Sequence, residues 1–284
     1  METATDHANA DPPHTRRPVA RATDSPLGGL SAYLAEFVGT LSLVFVITMV
    51  FVVNSAGGLG VTDFAVLGLV HAFILMLLIH SLGGASGAHF NPAVTIALMV
   101  GRKIRPPDAL IYILVQISGA VAGALLTKLL LDNEGDPINY GTPGIADAPP
   151  APAAQPGAPA PVPQGADWLG GSPIGGMAVE AIGTFFLMWA IMALVVNPRG
   201  ERHWAGFVIG ATLGTMVMIL APLTGAGFNP ARSLGPAIVS GEFTDLWAYL
   251  VGPVIGALAA YGAYSGIVLT PQHRRGERPI DALD

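Results

Sequence analysis

Residues 227–233 read GFNPARS, and residues 89–95 read HFNPAVT. Both copies lie inside long apolar stretches, and the second carries Arg232, a charge where charges are costly. Asparagine is among the best helix-capping residues and proline suits the first helical position, so each Asn-Pro-Ala predicts a helix start, at Asn91 and at Asn229. Gly101 and Gly241 are expected to end these helices in left-handed caps, giving half-helices over 91–100 and 229–240. At 1.5 Å per residue each would be roughly 15–18 Å long, about half a bilayer.

The composition around these motifs excludes an ordinary soluble domain: 52% of the residues are hydrophobic, 11% are charged and the mean hydropathy is +0.57. Apolar runs near 31–53, 65–82, 108–131, 174–196, 204–223 and 245–269 reach the roughly 20 residues that a membrane helix needs. Six spans follow. Residues 1–28 are polar and Pro-rich, and no apolar core with a cleavage site precedes the first span, so this stretch reads as a disordered tail without a removable signal. There is no cysteine, and the seven histidines are scattered, which argues against disulfides, thiolate metal sites or any bound metal. No nucleophile stands with a base and no nucleotide-binding glycine loop is present, so an enzyme has no support; no cofactor or nucleic-acid partner is expected.

Orientation follows from the basic residues, because short loops rich in Lys and Arg stay cytoplasmic. Arg16, Arg17 and Arg21, then Arg102, Lys103 and Arg105, then Arg199 and Arg202, then Arg274, Arg275 and Arg278 all fall on one side of six spans. Of the 13 basic residues only Lys128 and Arg232 fall elsewhere, so both termini are predicted to be cytoplasmic, in a multi-pass protein of the cell membrane. The segment 132–173 is rich in Ala, Pro and Gly, with the run PPAPAAQPGAPAPVP, and reads as an external, polyproline-like spacer. It divides a first three-helix unit (29–131) from a second (174–270), which a short tail (271–284) follows.

The two units match. LAEFVGTLSLVF (34–45) aligns with AVEAIGTFFLMW (178–189), setting Glu36 against Glu180, and GAHFNPAVT (87–95) aligns with GAGFNPARS (225–233). Three spans per unit is an odd number, so the second copy crosses in the opposite direction, as an inverted repeat. The expected fold is therefore all-α: six transmembrane helices and two re-entrant half-helices whose amino ends meet inside the membrane. Irregular backbone at that depth is tolerated only where protein or a water-filled cavity satisfies it.

On these residues the chain resembles the major intrinsic protein (aquaporin) family. Asn91-Pro92-Ala93 and Asn229-Pro230-Ala231-Arg232 look like its two signature loops, and the resemblance covers about residues 29–270. It implies a homotetramer in the lipid bilayer, each protomer with its own pore for water and small neutral solutes. The half-helix dipoles oppose cations and hopping protons at the midpoint, and the Asn91 and Asn229 amides are expected to offer N–H donors to the lumen. Arg232 would form the narrowest constriction. Counting from the asparagines carries over its other walls: His71 twenty residues before Asn91, and Val217 and Ala226 twelve and three before Asn229. The set His, Val, Ala, Arg is similar to that of plant tonoplast channels and reads as a widened filter, open to ammonia or urea as well as water. Glu36 and Glu180 are taken as supports for the re-entrant loops, and His80 as packing between helices.

Four alternatives stand beside this reading. Ser233 and Ala237 stand where glycerol-type members carry Asp and a basic residue, yet Leu250 stands where water-type members have Trp, so glycerol passage stays open, as does a strict water channel. A secondary transporter would need midplane carboxylates beyond the two assigned. A non-conducting adhesion or scaffold protein would share the fold.

Overall fold

The computed structural model of the protein describes residues 29–56, 63–146 and 172–270. The readings of 1–28 and 271–284 as tails, and of the Pro/Ala run 147–171, lie outside the described residues.

The chain folds as α1 (Leu30–Ala56), α2 (Phe64–Ser86), α3 (Pro92–Val100), α4 (Pro106–Leu130), the single turn α5 (Asp132–Gly135), α6 (Pro173–Ile191), α7 (Ala205–Thr224), α8 (Pro230–Ser240) and α9 (Leu246–Tyr264). Among the described residues six helices are long and apolar enough to cross a membrane: α1, α2, α4, α6, α7 and α9, with π-type turns carrying α6 on to Val196 and α9 on to Leu269. Between them, α3 and α8 hold only 9 and 11 residues. That is roughly 14 and 17 Å at 1.5 Å per residue, half a span each.

The repeat is visible in the packing. α1 lies on α4 as α6 lies on α9, α2 and α7 join the two units, and each half-helix docks on the other unit, α3 on α9 and α8 on α4. Glycines permit the close approach. A Cβ on Gly119 or Gly123 of α4 would stand 2.5 Å from the Phe37 or Leu41 carbonyl oxygen, and one on Gly252 or Gly256 of α9 would stand 2.5 or 2.0 Å from that of Met177 or Ala181. In lipid, where no hydrophobic force drives helices together, such backbone-to-backbone packing supplies much of the association.

Two expectations are corrected. Gly241 does close α8 in a left-handed conformation (φ 79°), but Gly101 does not close α3 that way: its φ is −74°, and the left-handed position falls to Arg102 at φ 58°. Gly101 is needed for space instead, since a Cβ there would meet the Tyr261 ring at 2.1 Å. The second correction concerns the segment from Asp132, expected as a spacer. Residues 132–146 are folded: α5 leads into a 3-10 turn, Asp136–Gly141, in which Tyr140 is buried. The Tyr140 hydroxyl donates to Asp132 at 2.5 Å, the Lys128 ammonium lies 4.9 Å from the ring centroid, and the Ala146 N–H donates to the Leu223 carbonyl at 2.9 Å. A few anchoring side chains, Tyr140 and Ile145 above all, escape an average taken over a Pro/Ala-rich stretch.

Candidate pore and selectivity filter

The loops that enter α3 and α8 are conformationally expensive. Ala88 and Phe90 in the first, and Ala226 and Phe228 in the second, have φ between 46° and 54°, a region that non-glycine residues rarely adopt. Each loop is held by the carboxylate that the repeat provides. Glu36 accepts hydrogen bonds from the Ser86 hydroxyl (2.6 Å), the N–H groups of His89 (2.9 Å) and Phe90 (2.7 Å), and the Gln116 amide (2.7 Å). Glu180 accepts from the Thr224 hydroxyl (2.7 Å) and the N–H groups of Gly227 (2.9 Å) and Phe228 (2.5 Å). Both carboxylates are fully buried. Gln116 was missed at the sequence level, although a lone amide in the middle of an apolar span was a usable signal.

The two half-helices meet at their amino ends. The Asn91 side-chain oxygen caps α3 by accepting from Ala93 N–H (2.9 Å), and that of Asn229 caps α8 by accepting from Ala231 N–H (3.0 Å). Each amide nitrogen then reaches into the opposite loop: Asn91 Nδ2 donates to the Phe228 carbonyl at 2.9 Å and Asn229 Nδ2 to the Phe90 carbonyl at 2.8 Å. One of the two N–H donors on each asparagine is therefore spent in cross-linking the repeats, and one is left for the lumen. Pro92, Ala93, Pro230 and Ala231 are buried behind them.

A cavity of about 1600 Å³ leads to this junction from a mouth flanked by the exposed Arg102, Lys103, Arg105 and Arg202. Its walls are mostly apolar, with Ile47, Leu75, Leu187, Ile191, Ile209 and Leu213 among them. The polar lining is confined to the loop backbone, Asn91, Asn229 and a few side chains at either end. His80, expected to pack between helices, lies against Gly206 at the exposed side of this cavity. His89 sits deeper, with Nδ1 3.1 Å from the Thr95 hydroxyl and its ring edge against Tyr112.

At the far end stand His71 and Arg232, which line the cavity, with Val217 and Ala226 buried and outside its lining. His71 Nδ1 lies 2.7 Å from the Leu67 carbonyl and so carries its hydrogen, leaving Nε2 without a protein partner. In a neutral ring that nitrogen is an acceptor. Arg232 Nη1 donates to the Gly141 carbonyl at 2.9 Å, and its Nε and Nη2 have no protein partner. The guanidinium also lies 5.2 Å from the ring centroid of Phe51, whose ring meets His71 edge-on at 6.3 Å. Neither Phe51 nor Gly141 was identified from the sequence, because both contacts span long separations along the chain.

Two half-helices joined amino end to amino end on an apolar lumen, with a buried arginine beyond them, prompt a comparison with known proteins. Residues 25–264 match the family described as Major intrinsic protein. The chain belongs to that family. Major intrinsic proteins are membrane channels, not enzymes, and this member is a multi-span membrane protein. It is 32% identical to Aquaporin NIP1-1 of Zea mays over 237 residues, 84% of this chain and 74% of that one. It is 34% identical to Nodulin-26 of Glycine max over 236 residues (83% and 77%), and 35% identical to Glycerol uptake facilitator protein-like 6 of Lactiplantibacillus plantarum over 232 residues (80% and 94%). Among solved structures, the aquaglyceroporin from Plasmodium falciparum superposes with a TM-score of 0.67 at 22% identity, covering 86% of this chain and 98% of that one, which shows the shared fold. None of these relatives shows the likeness to plant tonoplast channels expected from the four filter residues.

Proposed function

We propose that this channel conducts water, with neutral solutes as small as ammonia, and excludes protons and ions. The observation that carries this is the reciprocal junction of Asn91 with the Phe228 carbonyl and Asn229 with the Phe90 carbonyl, in a lumen walled mostly by apolar side chains. Each half-helix brings about half a positive charge to that junction. A water there accepts from the remaining N–H of both asparagines, so its own hydrogens point outward along the lumen and the chain of like-oriented waters that a hopping proton needs is broken. Arg232 adds a fixed positive charge one residue beyond the motif, and its Nε and Nη2, with His71 Nε2, replace hydration for a passing neutral molecule.

The protein is proposed to work as a homotetramer in the cell membrane with both termini cytoplasmic, the one-sided distribution of Lys and Arg being the support for orientation. The test is purified protein in liposomes: stopped-flow light scattering for water, an entrapped pH dye for protons. Water flux above protein-free liposomes without added proton flux supports the proposal, and no added water flux refutes it. A second reading, glycerol passage, is favoured by the relative named as a glycerol uptake facilitator-like protein, and inward glycerol gradients in the same liposomes decide it.

A further inference from the structure

The filter holds less open space than its four positions imply. His71, Val217 and Ala226, read from the sequence as the walls of a widened filter, should leave a wide opening. Yet His71 is 2% exposed, Val217 0%, Ala226 1% and Arg232 1%. The side chain found against both His71 and Arg232 is Phe51, from the end of α1 nearer Asn54. Its ring stands at 82° to the His71 ring and beneath the Arg232 guanidinium. On another flank lies Gly141, at φ 71°, where a Cβ would come within 2.9 Å of Phe51 Cβ. The carbonyl of that glycine accepts from Arg232 Nη1. Phe51, His71, Gly141 and Arg232 thus form one closed set of contacts at the level of the constriction.

We propose that Phe51 is a fifth wall of the selectivity filter and sets its width, admitting water and ammonia and turning back urea and glycerol. The proposal rests on the channel function proposed above. The ring supplies from α1 the aromatic bulk that the α2 position lacks, and its face holds the guanidinium in place by a cation–π contact, keeping Nε and Nη2 free for the solute. Being apolar, it returns no hydrogen bond. A solute broad enough to press on it must give up hydration on that side without replacement, which penalises urea and glycerol more than water.

The test uses full-length protein in liposomes, with water, urea and glycerol fluxes measured on one preparation of wild type, F51A, F51L and F51W. Wild type is expected to pass water and to hold urea and glycerol at the protein-free rate. F51A is expected to raise urea flux by about tenfold, a barrier drop of about 1.4 kcal/mol, with water flux rising far less; F51L should lie between, and F51W should stay closed to urea. Three results overturn the proposal: urea passing the wild type above the protein-free rate; F51A or F51L conducting water with urea flux unchanged; or neither variant conducting water or remaining monodisperse, which makes Phe51 a packing strut. A wild type that conducts no water refutes the channel function itself, a failure distinguishable from the other three.

Discussion

Replacing Glu36 by leucine keeps an apolar filler of similar bulk and removes both carboxylate oxygens. Four buried donors lose their acceptor: the Ser86 hydroxyl, the His89 and Phe90 N–H groups and the Gln116 amide. An orphaned buried donor costs about 1–3 kcal/mol, so the loss is on the order of 4–12 kcal/mol, against a typical net stability of about 5–15 kcal/mol. The left-handed Ala88 and Phe90 also lose the group that holds them in that conformation. Glu36→Leu should therefore fail to yield monodisperse protein, or yield protein that melts far below wild type and passes no water. Glu36→Gln should be much milder. It keeps the oxygen that serves Ser86 and His89, so only the Phe90 N–H and the Gln116 amide lose their acceptor, at a cost of about 2–6 kcal/mol. Glu180→Leu orphans three donors and should fall just short of Glu36→Leu. The assay is thermal unfolding in detergent followed by water flux in liposomes. Glu36→Leu melting within a few degrees of wild type and conducting normally would refute the assignment of this carboxylate as the support of the first loop.

Arg232→Val removes the fixed charge while leaving both half-helix dipoles, so proton leak measured with an entrapped dye should rise while water still passes; no rise at equal water flux would place the whole barrier at Asn91 and Asn229. Gly39→Ala and Gly183→Ala should destabilise to a similar extent, since a Cβ would stand 2.0 Å from the Phe90 ring in one case and 2.1 Å from the Phe228 ring in the other, and overpacking costs typically about 1–3 kcal/mol or more. Melting temperatures of the pair check this, and a large difference between them would count against the repeat-related packing. Having no cysteine, the wild type should keep its water flux in mercuric chloride, whereas Ala226→Cys should become mercury-sensitive and recover with a thiol reductant.

The two Asn-Pro-Ala phrases, the six apolar runs and the paired glutamates made the fold legible, because each is a local pattern with one physical meaning: a cap, a bilayer length, a carboxylate where charge is costly. What stayed hidden depends on contacts between distant segments. Phe51 is one apolar residue among many in α1, and only the folded chain sets its ring against His71 and Arg232. Gly141 lies in a stretch whose composition argues for a spacer, yet its carbonyl reaches Arg232, 91 residues away. Gly101 looked like a cap because glycine usually is one at that position; the Tyr261 ring, which decides its role, comes from the other repeat.

The central claim is that two half-helix amino ends joined through Asn91 and Asn229, with Arg232 beyond them, pass water and stop protons. It is tested most directly by measuring osmotic shrinkage and proton flux on the same liposomes over a series of protein-to-lipid ratios. Water permeability should climb in proportion to protein while proton flux stays at the protein-free value. A flat water permeability, or proton flux climbing in step with it, would contradict the account.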